Sequence, residues 1–383
     1  MSMGDMRILQ MIPGYRRRGA EIHVLNLMLG MREVKVPASL AVLYDDEVAR
    51  EARSLGLDVF VIRKRCRGDL SVVFRLAKLI REEGFQIVHT HLINGNFYGR
   101  TAARLAGTCC VLSTIHNHRE ALPVSREWMK SLAYRQDILM ARLCDRVISV
   151  TDGLRVRLIK DGLPENHIKM IPGCIDTNRY RPDRTEREAS RKEFGISDEE
   201  FVVGTAGALV REKRLHLLLQ VAHDVLQAGV PARFLIAGEG YLADELRALA
   251  KRLGIEDKVI FTGWCSDIPN IISAMDVFVL CSSTETTSMV IVEGMAMRRP
   301  IVAMQVGDLS ETFTEGVSGF FVPSGDIHKM TEILIRLYKD PEKRQTMGEE
   351  GRKEALGKFG REKVVLEVLQ TYEEALQKRF ART

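Results

Sequence analysis

The sequence lacks most features that mark membrane-spanning, secreted or disordered proteins. Its longest apolar runs, such as 277–281, are far shorter than the roughly 18 to 20 residues of a membrane-spanning helix. We expect no signal peptide, because an acidic residue comes early and the positive charges follow the first apolar stretch. The seven cysteines form no C-x-x-C pair, which predicts reduced thiols in a cytoplasmic protein. With only 11 prolines and 45% hydrophobic residues, the chain is neither disordered nor collagen-like.

Positive charge is concentrated in the first half of the chain, although the formal net charge of all 383 residues is only +5. The first 175 residues hold 27 Lys and Arg against 18 Asp and Glu. Basic runs at 16–18 and 63–67 suit an ordinary solvated surface, an anionic membrane surface or nucleic acid. Aromatic residues are 6% of the chain and do not interleave with these runs, so we expect no nucleic-acid partner.

Short apolar segments alternate with segments of helical periodicity along the whole chain. Strands this apolar, separated by helices, predict a parallel sheet covered on both faces. Pro172, Pro182 and the charged segment after them indicate a linker, and the alternation restarts at 201–207. The sequence thus predicts an α/β fold of two Rossmann-like, doubly wound domains. Ligands are expected in a cleft where the carboxyl ends of both sheets meet.

Two glycine-containing loops are candidates for phosphate binding. In the loop from Gly14 to Glu21, backbone amides at a helix start could approach a phosphate, or the loop is simply a tight turn. Its spacing fits neither a dinucleotide fingerprint nor a P-loop. In the segment 207–214, three cations at a predicted helix start oppose the helix dipole by roughly 0.3 to 1 kcal/mol each, unless an anion such as a diphosphate binds. The alternative is exposed cations paired with Glu212.

Glu285 and Glu293 lie eight residues apart, across a loop and a helix start. That spacing corresponds to roughly 12 Å along a helix, whereas a hydrolytic carboxylate pair needs about 5 to 9.5 Å. It suits two carboxylates that accept hydrogen bonds from hydroxyls at opposite ends of a sugar nucleotide. The alternative is a pair of surface glutamates.

Two H-x-H pairs, His89 with His91 and His116 with His118, lie at predicted strand ends. Imidazoles can bind zinc or iron, but histidines at the carboxyl ends of parallel strands also contact ligands or backbone. A metal site, a ligand contact and a structural role therefore stay open. The sequence has no D-x-D, so we expect no metal cofactor.

Together these motifs make the chain resemble the family-four glycosyltransferases, retaining enzymes of the GT-B architecture, over nearly its whole length. The matching segments are Arg18-Gly19-Ala20-Glu21, Gly173-Cys174-Ile175-Asp176, Gly207 to Lys213, Glu285 to Ala296 and Arg298 to Val302. The resemblance implies an acceptor domain over 1–172 and a nucleotide-sugar donor domain over 173–360. It also implies that a C-terminal helix, about 361–383, crosses back to the first domain.

The resemblance also implies residue roles. Glu285 would hold hydroxyls of the donor sugar, Glu293 the ribose, and His116 would contact the sugar. Lys213, with Arg211, would neutralise the leaving diphosphate. His116, Glu285 and Lys213 are thus the catalytic candidates, and the remaining donor contacts are expected at Gly19, Trp264, Cys265, Ser288, Met289 and Val290.

The chain departs from the family pattern at three places. Ala208 replaces the usual arginine of the diphosphate segment, and Arg211 or Arg214 could compensate for the lost charge. The segment 286–288 reads Thr-Thr-Ser instead of G-F-[GP], and Arg18 replaces the first glycine of the G-G-x-E loop. The Thr-Thr-Ser departure bears on donor-sugar identity, and Arg18 adds a charge near the acceptor or the phosphate.

The sequence therefore predicts a retaining, metal-independent glycosyltransferase. It would move a sugar from a nucleotide sugar to a hydroxyl of a glycan or lipid-linked acceptor, in envelope polysaccharide or glycolipid synthesis. The basic first domain suggests work at the cytoplasmic face of a membrane. The alternatives are a non-catalytic partner subunit of the same fold and a nucleotide-sugar epimerase.

Overall fold

The computed structural model describes residues 6–15, 18–66, 68–107, 110–117 and 127–381. It confirms the α/β prediction and divides into two compact units. Unit 1 comprises residues 1–174 and 361–383, and unit 2 comprises residues 175–360. The division falls inside the segment Gly173–Asp176. No helix in the described part of the chain is both long and apolar enough to cross a membrane.

Unit 1 is built on a parallel sheet of seven strands in the order β3-β2-β1-β4-β5-β6-β7. The strands are β1 (Ile8–Ile12), β2 (Ala38–Val42), β3 (Asp58–Val61), β4 (Ile87–His91), β5 (Cys110–Ile115), β6 (Arg146–Ser149) and β7 (Ile168–Met170). The helices between them are α1 (Gly19–Glu33), α2 (Glu47–Ser54), α3 (Ser71–Glu82), α4 (Leu92–Ala106), α5 (Glu127–Ala141) and α6 (Asp152–Lys160). A 3-10 helix, Glu165–His167, precedes β7.

The central strands of unit 1 are buried along their full length, yet they are not uniformly apolar. Every residue of β1, β4 and β5 is buried, as expected when helices cover both faces of a parallel sheet. Gln10, His89 and His91 are nevertheless polar and fully buried. Buried polar side chains require hydrogen-bond partners, so these three indicate a polar site inside the sheet.

Unit 2 is built on a parallel sheet of six strands in the order β10-β9-β8-β11-β12-β13. The strands are β8 (Phe201–Ala206), β9 (Ala232–Ala237), β10 (Val259–Gly263), β11 (Val277–Leu280), β12 (Ile301–Met304) and β13 (Gly319–Val322). The helices are α7 (Arg184–Glu193), α8 (Leu215–Gln227), α9 (Ala243–Arg252), α10 (Ile268–Ala274), α11 (Met289–Ala296), α12 (Ile327–Lys339) and α13 (Pro341–Phe359). Short 3-10 helices cover Arg211–Lys213 and Leu309–Glu311.

The last helix, α14 (Arg361–Phe380), belongs to unit 1. Its apolar side forms one cluster with residues of β1, α1 and β4, and the α14 members of that cluster are Val364, Val365, Val368, Leu369, Tyr372, Ala375 and Leu376. Gly30 of α1 permits the close approach, because a Cβ there would lie 2.5 Å from Val365 Cγ2. The C-terminal helix thus returns to the first unit.

The strand order defines one switch point in each sheet. In unit 1 the order reverses between β1 and β4, and in unit 2 between β8 and β11. Ligands of open α/β sheets bind at the carboxyl ends of the strands beside such a switch point. The loops that matter are therefore those after β1 and β4 in unit 1, and those after β8 and β11 in unit 2.

Candidate active site

In unit 2, the loop after β8 lies directly against the loop after β9. Gly207 donates its N–H to Ala237 O at 2.9 Å, and Leu209 donates to Glu239 O at 2.8 Å. Gly238 has a φ of +130°, and a Cβ on it would lie 1.9 Å from Gly207 O. Only glycine fits that contact, so the segment 238–240 is required to shape the loop that carries Lys213.

Lys213 and Glu285 meet at the switch point of unit 2. Lys213 Nζ lies 2.5 Å from Glu285 Oε1, with the two side chains 26% and 12% exposed. Lys213 follows β8 and Glu285 follows β11, so neighbouring strands deliver the two charges. The two loops are also joined by their backbones, because Ser283 donates its N–H to Glu212 O at 2.8 Å.

Arg214 holds these two loops together through its Nε and one terminal nitrogen. Its Nε donates to Cys281 O at 3.0 Å, and one terminal nitrogen donates to Ser282 O and to Ser324 Oγ. Its backbone is left-handed, with a φ of +46°, so α8 begins only at Leu215. The helix thus begins one residue after the last of the three cations, and the bonds of Arg214 leave it fewer free donors than Arg211 to supply the charge missing at position 208.

The alternative interpretation of the 207–214 cations, pairing with Glu212, is wrong. In the described part of the chain, Lys213 pairs with Glu285 and no ion pair reaches the Glu212 carboxylate. Arg211 is exposed, and its backbone N–H bonds Tyr241 Oη at 3.2 Å. Its guanidinium makes no ion pair with any described residue, so it is free to approach an anion beside Lys213.

The loop that carries Glu285 contains buried hydroxyls without partners. Ser282 Oγ, Thr286 Oγ1 and Thr287 Oγ1 make no hydrogen bond to any described residue. Leaving a buried hydroxyl unpaired costs about 1 to 3 kcal/mol, so such groups commonly mark a place where a ligand binds. Gly307, with a φ of +54°, packs beneath this loop, since a Cβ there would lie 1.8 Å from Glu285 O.

Glu293 lies on α11, which follows the Glu285 loop. Its side chain is buried, as is that of Ser288 at the N-cap. The Ser288 side chain makes no cap hydrogen bond, so the first backbone N–H groups of α11 can donate to other acceptors. Met289 and Val290, which open the helix, are partly buried.

Trp264 and Cys265 follow β10, two strands away from β8 in the sheet. Trp264 is 60% exposed, which leaves its ring free to stack on a planar ligand. This loop is fixed by a hydrogen bond, in which an Arg179 terminal nitrogen donates to Ser266 O at 2.8 Å. No hydrogen bond or ion pair among the described residues connects Trp264 to Lys213 or Glu285.

In unit 1, Gly19 is the first residue of α1, directly after the β1 loop. Arg18 occupies the N-cap and makes no side-chain cap bond. Glu21, in the first turn, is buried, and burial raises its pKa to about 7. Hydrogen bonds from the backbone amides of Glu21 and Arg18, and the positive charge of Arg18, lower the pKa but by less. Of the basic run 16–18, Arg16 and Arg17 lie outside the described residues.

A chain of hydrogen bonds surrounds the histidines of β4. We call it the histidine chain, and its members in order are Thr114, His89, Tyr372, Gln10, His91 and His116. His89 bonds Thr114 Oγ1 through Nε2 at 2.8 Å and Tyr372 Oη through Nδ1 at 2.7 Å. Gln10 bonds Tyr372 Oη through Nε2 at 2.9 Å and His91 Nε2 through Oε1 at 2.8 Å. His91 Nδ1 in turn lies 3.1 Å from His116 Nε2. His23 of α1 stacks edgewise on His91 and His116.

The members of the histidine chain differ in exposure. His89 and His91 are fully buried and saturated with hydrogen bonds, so they are structural, while His116 after β5 is only partly buried. Burial lowers the pKa of His23 to about 4 and of His89 to about 3, and it holds the pKa of His91 and His116 well below the ordinary value. All four are therefore neutral imidazoles at pH 7.

The metal interpretation of the H-x-H pairs finds no geometric support. Within the described ranges, no three His, Cys, Asp or Glu side chains are arranged so that they could hold a metal ion. His118 lies outside the described residues. Sequence reasoning missed His23, Gln10 and Tyr372, and only the polarity of Gln10 inside an apolar strand could have indicated one of them.

Two family models match the chain. Residues 17–179 match the family described as Glycosyltransferase Family 4, and residues 186–354 match that described as Glycosyl transferases group 1. The chain is 30% identical over 312 residues to EpsD of Bacillus subtilis, whose name places it among the glycosyltransferases, covering 79% of this chain and 80% of that protein.

Two further similarities concern a lipid-linked acceptor and a bound nucleotide. An Escherichia coli enzyme named UDP-Gal:alpha-D-GlcNAc-diphosphoundecaprenol alpha-1,3-galactosyltransferase is 27% identical over 73% of this chain and 75% of its own. The chain superposes on the crystal structure of Anabaena HepE in complex with UDP and glucose with a TM-score of 0.85 at 21% identity. The superposition covers 96% of this chain and 99% of HepE, so the two proteins share the GT-B fold. The chain therefore belongs to the family-four glycosyltransferases.

Proposed function

We propose that this glycosyltransferase is a retaining, metal-independent enzyme that takes its sugar from a nucleotide sugar bound by unit 2. The contact between Lys213 Nζ and Glu285 Oε1 at the switch point carries the proposal. A partly buried ammonium beside a carboxylate offers one group for a phosphate and one for sugar hydroxyls. HepE, which shares this fold, has been crystallised with UDP and glucose.

Donor binding would exchange the partners of this ion pair. The diphosphate takes the Lys213 ammonium, with Arg211 adding a second charge, and the freed Glu285 carboxylate accepts hydrogen bonds from sugar hydroxyls. The unpaired hydroxyls of Thr286 and Thr287 lie in the same loop and suit further sugar hydroxyls. Glu293 would accept hydrogen bonds from the ribose hydroxyls, and the exposed Trp264 ring would stack on the base.

Catalysis then rests on electrostatic stabilisation of the leaving diphosphate. Lys213 and Arg211 neutralise the charge that develops when the anomeric C–O bond breaks, which is preorganisation of the kind that lowers barriers most. The acceptor hydroxyl attacks from the face that the diphosphate leaves, and a phosphate oxygen takes its proton. His116 of unit 1 orients the sugar and forms no covalent intermediate.

The acceptor is a glycan or lipid-linked hydroxyl compound, and we place the enzyme at an anionic membrane surface. The E. coli relative acts, by its name, on a diphosphoundecaprenol-linked sugar. Helix α5 exposes Trp128, Leu132 and Leu139 at 63%, 61% and 64%, spaced so that they share one helix face. Three arginines, Arg135, Arg142 and Arg157, line a cavity of about 540 Å³ beside that face. Apolar side chains flanked by cations suit a layer of anionic headgroups.

The direct test is transfer by purified enzyme from UDP-, GDP- and ADP-sugars to a lipid-linked acceptor mixture, with EDTA present. We expect Glu285→Ala and His116→Ala each to reduce the rate by orders of magnitude. Glu212→Gln and His216→Ala, on an exposed glutamate and an exposed histidine, serve as matched controls and should leave it unchanged. A near wild-type rate for either site variant would refute its role, and release of nucleotide without glycosylation would favour an epimerase.

A further inference from the structure

The direction of every hydrogen bond from Gln10 to His116 can be read from the Gln10 amide. Gln10 Nε2 donates to Tyr372 Oη at 2.9 Å, so its Oε1 faces His91 Nε2 at 2.8 Å. An amide oxygen has no proton and can only accept. His91 therefore carries its proton on Nε2.

That proton assignment fixes the next one. A neutral imidazole has one N–H, so His91 Nδ1 is a bare acceptor, and it lies 3.1 Å from His116 Nε2. His116 must donate from Nε2, which leaves the lone pair on its Nδ1. In the described part of the chain Nδ1 makes no hydrogen bond, and His116 is the partly exposed end of the histidine chain. This nitrogen is set to accept a hydrogen bond from a ligand hydroxyl.

Tyr372 joins Gln10 to His89, since its hydroxyl can accept one hydrogen bond and donate another. Its Oη is the acceptor that the Gln10 amide nitrogen needs, and its own proton goes to His89 Nδ1 at 2.7 Å. His89 in turn donates from Nε2 to Thr114 Oγ1 at 2.8 Å. Without the Tyr372 oxygen, Gln10 Nε2 loses its acceptor, and the Gln10 amide can rotate by half a turn. That rotation would reverse the proton positions on His91 and His116.

We propose that Tyr372 of the C-terminal helix is a positioning residue that acts through Gln10 and His91 to present the His116 Nδ1 lone pair to a ligand hydroxyl. The identity of that hydroxyl rests on the proposed function, while the proton positions do not. The C-terminal helix then has a part in the reaction besides covering the first sheet, although Tyr372 itself touches no substrate.

The first test reads the proton positions directly. Long-range ¹H–¹⁵N spectra of the full chain, with ¹⁵N-labelled histidine, distinguish a protonated from a bare imidazole nitrogen, and comparison with His116→Ala assigns the His116 signals. We expect a single Nε2–H form in the wild type and a mixture of both tautomers in Tyr372→Phe. Thr371→Val is the matched control, because the neighbouring Thr371 hydroxyl is also buried but bonds only Glu367 O of its own helix. It should keep the wild-type form.

The second test is kinetic. Loss of one neutral hydrogen bond predicts about a tenfold fall in kcat for Tyr372→Phe, with the KM for the nucleotide sugar within about twofold, since Lys213 and Glu285 still hold the donor. Gln10→Leu removes the hydrogen bonds that join Tyr372 to His91, and it keeps the Tyr372–His89 bond. The double variant should be no slower than the slower single variant, because both changes interrupt one path.

The results separate this inference from the proposed function. An unchanged Nε2–H form in Tyr372→Phe would overturn the inference whatever the activity, and so would an unchanged form in Gln10→Leu. Multiplying kinetic losses in the double variant would also overturn it. If His116→Ala retained full activity while Tyr372→Phe mixed the tautomers, the catalytic role of His116 would fall, and the control of its protonation by Tyr372 would stand.

Discussion

At the scale of single residues, the segment 207–214 shows how differently neighbouring cations are bonded. Lys213 and Glu285 hold each other at 2.5 Å, whereas Arg214 bonds backbone carbonyls and Arg211 stays exposed. Of three cations that look alike in the segment 207–214, each thus has a different task. A linear sequence cannot distinguish them, because the carbonyls that occupy Arg214 come from the loop after β11.

Glu21 gives a prediction about the pH dependence of stability. Burial raises its pKa from the ordinary 4.5 to about 7 in the folded chain. Below pH 4.5 Glu21 is protonated in both the folded and the unfolded chain, so its burial does not lower the free energy of unfolding. As the pH rises from 4.5 to 7, the unfolded chain ionises while the folded chain stays protonated. The free energy of unfolding therefore falls until the folded chain also ionises near pH 7. We expect Glu21→Gln to raise the free energy of unfolding by about 3 kcal/mol at pH 8 and by well under 1 kcal/mol at pH 4.5.

Urea unfolding can measure this in a Trp264→Phe background, where Trp128 fluorescence reports on unit 1 alone, since the chain has only two tryptophans. Glu82→Gln, on an exposed glutamate of α3, is the control and should show no comparable change with pH. Equal stabilisation by Glu21→Gln at both pH values would show that the Glu21 carboxyl is not held protonated by burial.

At the scale of secondary-structure elements, helix α5 exposes an apolar face to solvent. It is fixed to α4 by a buried ion pair, Arg100 to Asp137 at 2.7 Å, so its exposed apolar face is not a sign of a loosely packed helix. The sequence predicts a helix in this region, but the burial of Asp137 and the exposure of Trp128 depend on which face meets α4. That could not be determined from periodicity alone.

The membrane proposal is tested on α5. We expect the double variant Trp128→Ser/Leu132→Ser to bind phosphatidylglycerol vesicles at least about tenfold more weakly than wild type, because two large side chains no longer enter the headgroup layer. Leu366→Ser, on an exposed leucine of α14, is the matched control. Co-sedimentation measures the binding, and undiminished binding of the double variant would remove α5 from the proposed membrane surface.

At the scale of the whole molecule, the repeated alternation of apolar strands and helices was enough to predict two doubly wound sheets, whereas the return of the last helix was implied only by the family resemblance. The residues of the histidine chain could not be found in the same way. Gln10 and Tyr372 are 362 positions apart and meet only because α14 packs on β1 and β4. Patterns within one window of sequence carry no information about such a contact.

The return of α14 makes the last 20-residue helix part of the first unit's core. Val365 is fully buried, and its neighbour Leu366 is 49% exposed. We expect Val365→Asp to lower the stability of unit 1 by at least about 3 kcal/mol, since it buries an unpaired charge, and Leu366→Asp to change it by less than about 0.5 kcal/mol. Hydrogen exchange of the β1 and β4 amides measures this. Equal protection in the two variants would mean that α14 does not stabilise unit 1.

The central claim is that unit 2 holds a nucleoside diphosphate on Lys213 without help from a metal ion. Isothermal titration of UDP, GDP and ADP in EDTA tests it most directly, with Lys213→Met beside Lys251→Met, an exposed lysine of α9, as control. We predict that at least one nucleotide binds the wild type and the control equally, and binds Lys213→Met at least about tenfold more weakly, as expected for a lost charge-assisted hydrogen bond. Wild-type affinity of Lys213→Met for every bound nucleotide would contradict the account.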